Sequence, residues 1–115
     1  MTTVVVLITY PSLLPEQALD KKTLSAEEFA EQLISEGIAA CVNCLPNLTS
    51  IYKWQGNLER AAETLLIVKT SEKLLKELEL RVAELHPYDL PEFISVRPEY
   101  VSELYNKWVT TQIFS

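Results

Sequence analysis

"IAACVNCLPNLTSIYKWQGNLERAAETLLIVKT", residues 38–70, decides the fold. Two extended, apolar runs flank Gln55-Gly56-Asn57, a turn signal, so the stretch reads as an antiparallel hairpin. The first arm is interrupted at Pro46-Asn47, and the second is strongest over Thr64 to Thr70. Both arms exceed the roughly five or six residues of an ordinary strand. A long hairpin carrying Tyr52 and Trp54 has too much surface for one small domain to cover, which implies a partner chain and so a homo-oligomer.

Outward from the hairpin the elements alternate. "TTVVVLITY", residues 2–10, is a β-branched run ended by Pro11 and reads as a strand buried on both faces or nearly so. Residues 11–23 read as a long loop with room for a helical turn. In "SAEEFAEQLISEG", residues 25–37, Ser25 and Glu28 form a capping box. Ala26, Phe29, Ala30, Leu33 and Ile34 repeat at helical spacing, and Gly37 suits the left-handed position that ends a helix. After the hairpin, Leu75, Leu78, Val82 and Leu85 predict a second helix, capped by Ser71 or Thr70 and stopped by Pro87. Residues 91–96 give a short fourth strand. Residues 98–113 give a last helix with Pro98 in its first turn and Val101, Leu104, Tyr105 and Trp108 on one face. Strand, helix, strand, strand, helix, strand is the split βαβ pattern: an α+β, ferredoxin-like domain spanning residues 1–115 with an extra C-terminal helix.

The 115 residues suit one domain. A net charge of −6 argues against nonspecific binding to nucleic acid or anionic lipid, which takes clustered Lys and Arg. The apolar run Val4 to Ile8 is too short to span a bilayer and lacks the basic flank of a signal peptide. The cytoplasm is the simplest compartment. With only 2 glycines there is no phosphate-binding loop, and neither a nucleophile elbow nor an HExxH helix is present, so no catalytic motif marks an enzyme.

Two motifs carry candidate chemistry. Cys41-Val42-Asn43-Cys44 has the spacing of a redox pair or half a zinc site. On a strand, however, residues three apart point to opposite faces, so the pair cannot share a metal or join in a disulfide without a break. "LHPYDLPE", residues 85–92, holds the single histidine, His86, beside Tyr88, Asp89 and Glu92. Imidazole with carboxylate suits Cu(II) or Zn(II). A histidine closing a helix also interacts with the helix dipole without any ligand, and spacing alone favours that reading.

"AACVN" at 39–43, "SIYKW" at 50–54, "LLIVKT" at 65–70, "HPYDLPE" at 86–92 and "YNKW" at 105–108 together resemble the CutA family of divalent-cation tolerance proteins, in family order over nearly the whole chain. The resemblance implies a tight trimer assembled through the long hairpins, similar in architecture to the PII signalling proteins. It implies a polar cleft between subunits to which Trp54, Lys69, Tyr88 and Glu92 contribute, and Cys41, His86 and Glu92 as candidate metal ligands. Asp89 replaces the usual Glu with the charge kept, and Cys44 stands where an aliphatic residue is usual. The function so implied is divalent-cation (copper) tolerance, with Cu(II) or another divalent cation bound but no obligatory cofactor. The alternative is a PII-like sensor in which Lys69 pairs a small anionic metabolite between Trp54 and Tyr88. An enzyme using Lys69, Tyr88 and His86 as acid–base groups is the weakest reading.

Overall fold

The computed structural model describes residues 2–12 and 23–113. The loop expected over residues 11–23 therefore lies, from 13 to 22, outside the described residues. The elements are β1 (Thr3–Pro11), α1 (Ala26–Ser35), β2 (Cys41–Trp54), β3 (Asn57–Ser71), a 3₁₀ turn (Glu72–Leu74), α2 (Leu75–Leu85), β4 (Ile94–Val96) and α3 (Glu103–Gln112). All pairings are antiparallel, in the order β2-β3-β1-β4. The α+β, ferredoxin-like reading thus holds in element order and sheet order.

Local chemistry sets the boundaries. Ser25 Oγ accepts the Glu28 N–H at 3.2 Å, and Glu28 Oε1 accepts the Ser25 N–H at 2.9 Å, which starts α1. Gly37, at φ 74, ends it. The hairpin turns at Gln55 (φ 50) and Gly56 (φ 82) with Trp54 paired to Asn57, the two-residue left-handed turn whose twist suits flanking strands. Pro46-Asn47 does not break β2. It makes a register shift between Leu45 and Leu48, with Asn47 at φ 66, and pairing resumes beyond it. A bulge accommodates a proline because its missing N–H is not needed by the ladder.

Two expectations need correction at the helices. The segment after β3 begins as a 3₁₀ turn, with Ser71 Oγ accepting the Lys73 N–H at 3.3 Å, before α2 proper. The last helix starts later than Pro98: Ser102 caps it by accepting the Tyr105 N–H at 3.3 Å. Its buried residues are Val109 and then Ile113 beyond its end, while Leu104, Tyr105 and Trp108 stay exposed, so the expected apolar face is not the one packed within the protomer.

One face of the sheet is covered. Val6, Ile8, Tyr10, Leu66 and Val68 pack against Phe29 and Leu33 of α1 and Leu78 and Val82 of α2, all essentially solvent-free. Burying such side chains contributes about 1.5–3 kcal/mol each and supplies most of the drive to fold. The opposite face carries Val5, Leu7, Leu65, Ile67, Leu45, Ile94 and Val96 by register. Only its end is covered: Asn106 Oδ1 of α3 accepts from Thr3 N (3.1 Å) and Thr3 Oγ1 (2.6 Å). Leu45, Ile94 and Val96 remain 43%, 52% and 46% exposed. β1 is therefore fully buried on one face and partly buried on the other, a strand nearly buried on both. The hairpin projects: the radius of gyration is 14.9 Å, against about 13 Å for a compact chain of this length. Among the described residues no helix is long and apolar enough to cross a membrane.

Candidate functional site

β3 runs from the tip of the projecting hairpin into the sheet, and the segment after α2 folds back over that junction. Together they enclose a cleft of about 750 Å³. Its walls are Ile51, Tyr52 and Trp54 of β2 on one side and Pro87 to Glu92 on the other, with Glu63 and Glu59 of β3 between. Trp54, Tyr88 and Glu92, three of the four residues expected to form a ligand cleft, are brought together here.

His86 lies under this wall. It is the residue after α2, its N–H donating to Val82 O at 2.8 Å. Its ring is 6% exposed and packs against Tyr10, Phe29 and Tyr88, with ring centroids 4.9, 6.0 and 5.0 Å away. Nε2 lies 2.8 Å from the Thr9 carbonyl, which can only accept, and Nδ1 lies 3.1 Å from the Tyr88 N–H, which can only donate. The partners fix the neutral tautomer protonated on Nε2. Burial lowers its pKa below the ordinary 6.5, only partly offset by the Thr9 carbonyl and the charge of Glu63. Neither nitrogen keeps a lone pair for a metal. The expectation of His86 as a ligand is corrected on that ground, and the favourable charge–dipole reading of this helix end loses its charge.

Tyr88 carries the wall's chemistry. Its hydroxyl donates to Glu63 Oε2 at 2.9 Å. Burial first, then the hydrogen bond and charge of Glu63, push the phenol well above its ordinary range. Glu92 is half-buried, and burial followed by the charge of Glu63 raises its carboxyl. Glu63 was missed by sequence reasoning. The available signal was that Glu63 shares its strand face with Leu65 and Ile67 by alternation, which places a carboxylate on a sheet face.

Lys69 and Cys41 lie elsewhere. They pair with each other across β2 and β3, six residues along β3 from Glu63, a separation of about 20 Å at strand rise. Lys69 Nζ bonds Asn43 Oδ1, and the Cys41 thiol faces the Tyr105 phenol, whose pKa rises through burial and then through that thiol. Within one protomer Cys41, His86 and Glu92 are not gathered, and among the described residues no group of three or more His, Cys, Asp or Glu is arranged to hold a metal ion. Cys41 and Cys44 are both free thiols on opposite sheet faces. Cys44 packs against the helix-covered core, where burial, and then Glu27, raises its pKa.

Comparison with known proteins supplies the remaining context. The sequence profile of the CutA1 divalent ion tolerance protein family matches residues 18–112. The divalent-cation tolerance protein CutA of Thermus thermophilus is 41% identical over 105 residues, 91% of this chain and 92% of that protein. A CutA homolog of Xenopus laevis is 42% identical over 84 residues, 73% of this chain but 56% of that protein. This chain spans about half the length of the animal CutA proteins of frog, mouse and human that it matches. The crystal structure of CutA from Xylella fastidiosa superposes with a TM-score of 0.85 at 32% identity, covering 99% of this chain and 100% of that one.

Proposed function

This chain belongs to the CutA1 divalent ion tolerance protein family, and from that premise we propose that it is a homotrimeric divalent-cation tolerance protein that binds a divalent cation, Cu(II) among those considered, at a cleft where subunits meet. The observation that carries the reading is the cleft itself: Glu59, Glu63, Asp89 and Glu92 line it, and among the described residues no Lys, Arg or His does. Clustered carboxylates attract cations and supply oxygen donors for them. Glu92 is the donor we assign first, since burial beside Glu63 leaves it needing a counter-charge.

The fit within one subunit is incomplete, because among the described residues no three donors converge. Assembly is what completes it. The uncovered sheet face, with Ile94 and Val96 about half exposed, and the projecting hairpin, with Leu58 72% exposed, are surfaces that a second and third copy would bury. Cys41 faces that same side of the sheet, so it is placed for a site shared between subunits. The two free thiols suit a reducing compartment, which supports the cytoplasm.

The role is one of binding: the family is named for tolerance, not for a reaction. An anionic metabolite is disfavoured, because the cleft walls are acidic. The test is a calorimetric titration of the purified protein with Cu(II) and Zn(II), beside Glu92→Gln and Cys41→Ser, with mass measured by light scattering. Saturable binding at fixed stoichiometry to a trimer, weakened about tenfold or more by either change, supports the reading. Variable stoichiometry indifferent to both changes, or a monomer, sinks it.

A further inference from the structure

Glu63 is 4% exposed, yet no cation pairs with it among the described residues. One carboxylate oxygen takes the Tyr88 hydroxyl. Glu63 lines the cleft, and no second side-chain partner for its carboxylate stands beside Tyr88 among the described residues. His86, which feels the charge of Glu63, is held neutral by Thr9 and Tyr88. Buried carboxylates are ordinarily matched by a positive partner. No positive partner for Glu63 lies among the described residues, and a cation bound in the cleft would supply one.

The shape of the cleft says what kind of cation. At about 750 Å³ it is far larger than a bare metal ion requires. Tyr52, Trp54 and Tyr88 present aromatic surface, which attracts an ammonium group through the ring quadrupole. The charge is distributed in depth: Glu63 is buried and Glu92 half-buried, whereas Glu59 and Asp89 are exposed. Two anionic levels joined by an apolar wall complement a molecule with a positive group at each end and carbon between.

We propose that this cleft binds an organic diamine, one ammonium group set against Glu63 and Glu92, the carbon chain lying on Tyr52, Trp54 and Tyr88, and the second ammonium group at Glu59 and Asp89. The inference goes beyond the divalent-cation reading and does not need it, although both ligands would meet at Glu92.

The test is calorimetry on the full chain in its native assembly, titrated with 1,4-diaminobutane and with 1,4-butanediol as the neutral molecule of the same length. The comparison uses wild type, Glu63→Gln, Trp54→Ala and, as a charge control, Glu77→Gln on the exposed side of α2. The expected result is saturable diamine binding, no diol binding, at least a tenfold loss in Glu63→Gln and in Trp54→Ala, and no change in Glu77→Gln. Trp54 is 52% exposed in the protomer, so its replacement tests the site even where Glu63→Gln fails to fold, and light scattering on the same sample reports whether the assembly is kept. Equal binding of the diol, absence of saturable diamine binding, or an unchanged affinity in Trp54→Ala overturns the proposal. Failure to bind diamine with a lowered oligomeric mass in Glu63→Gln also overturns it, by assigning the counter-charge to a neighbouring copy. Cu(II) titration of the same samples, with Glu92→Gln and Cys41→Ser, reads the divalent-cation proposal separately.

Discussion

The backbone N–H of Tyr88 donates to Nδ1 of His86 at 3.1 Å, so the residue that walls the cleft is held by a ring that must stay neutral. Protonating Nδ1 removes the acceptor. Burial depresses the pKa of His86 in the folded protein relative to the ordinary 6.5. The unfolded chain then binds more protons than the folded one as pH falls. The stability linked to His86 is fully present above the unfolded value and is lost as pH drops through 6.5 toward the lower folded value. Thermal midpoints measured from about pH 8 to about pH 5, where histidine titrates, are expected to fall in wild type. The fall should shrink in His86→Gln. Glu92 works the other way at lower pH, because its folded pKa is raised above 4.5 and protonation there favours the fold. A wild-type profile identical to that of His86→Gln across the window would show that His86 is not the titrating group.

Ile94 faces Leu7 across β1 and β4 on the side of the sheet that α3 covers only at one end, and is 52% exposed in the protomer. A lysine there meets water in an isolated subunit and is tolerated. In the proposed trimer it would be an unpaired buried charge, costing several kcal/mol per subunit. Ile94→Lys is expected to lower the mass from trimer to monomer in sedimentation while leaving the far-ultraviolet circular dichroism of the helices in place. An unchanged trimer mass would remove this sheet face from the interface.

What the sequence disclosed is what is local. The capping box of Ser25 and Glu28 and the turn at Gln55-Gly56 join residues a few positions apart, so their physics is visible in the string. The site was only half visible, because its contacts are long-range. His86 looks like a ligand beside Tyr88 and Glu92 until Thr9, 77 residues away in the chain, takes its other nitrogen. Lys69 is set opposite Cys41 by the register, away from Tyr88 within one protomer, a placement that its spacing in the sequence does not display. Glu63 was one acid among several on the hairpin, and only Tyr88, 25 residues on, singles it out. Pro46 read as a strand break because propensity cannot see the bulge that absorbs it.

The α1 cap offers a clean measure of local stabilisation, since both of its hydrogen bonds lie at the surface. Ser25→Ala leaves the Glu28 N–H without its side-chain acceptor and is expected to cost about 1 kcal/mol. Chemical denaturation should show a lower midpoint with an unchanged slope. Ser25→Asp, which restores the acceptor and adds a negative charge at the helix start, should recover that loss. No change in midpoint for Ser25→Ala would mean that α1 is held by Phe29 and Leu33 in the core alone.

Gln55 occupies the left-handed region at φ 50, immediately before Gly56 at φ 82. A left-handed backbone costs an ordinary L-residue roughly 1–2 kcal/mol, and asparagine pays less because its short amide can bond locally. Asn-Gly is the dipeptide this turn favours. Gln55→Asn is therefore expected to stabilise the protein by about 0.5–1 kcal/mol, a fraction of that strain. Gly56→Ala should do the opposite: an added Cβ meets no atom within 4 Å, so the loss would come from backbone conformation and not from a clash. Equilibrium denaturation of the two variants separates strain from packing. If Gly56→Ala is neutral, the hairpin tip relaxes its dihedrals freely, and the gain expected from Gln55→Asn should vanish with it.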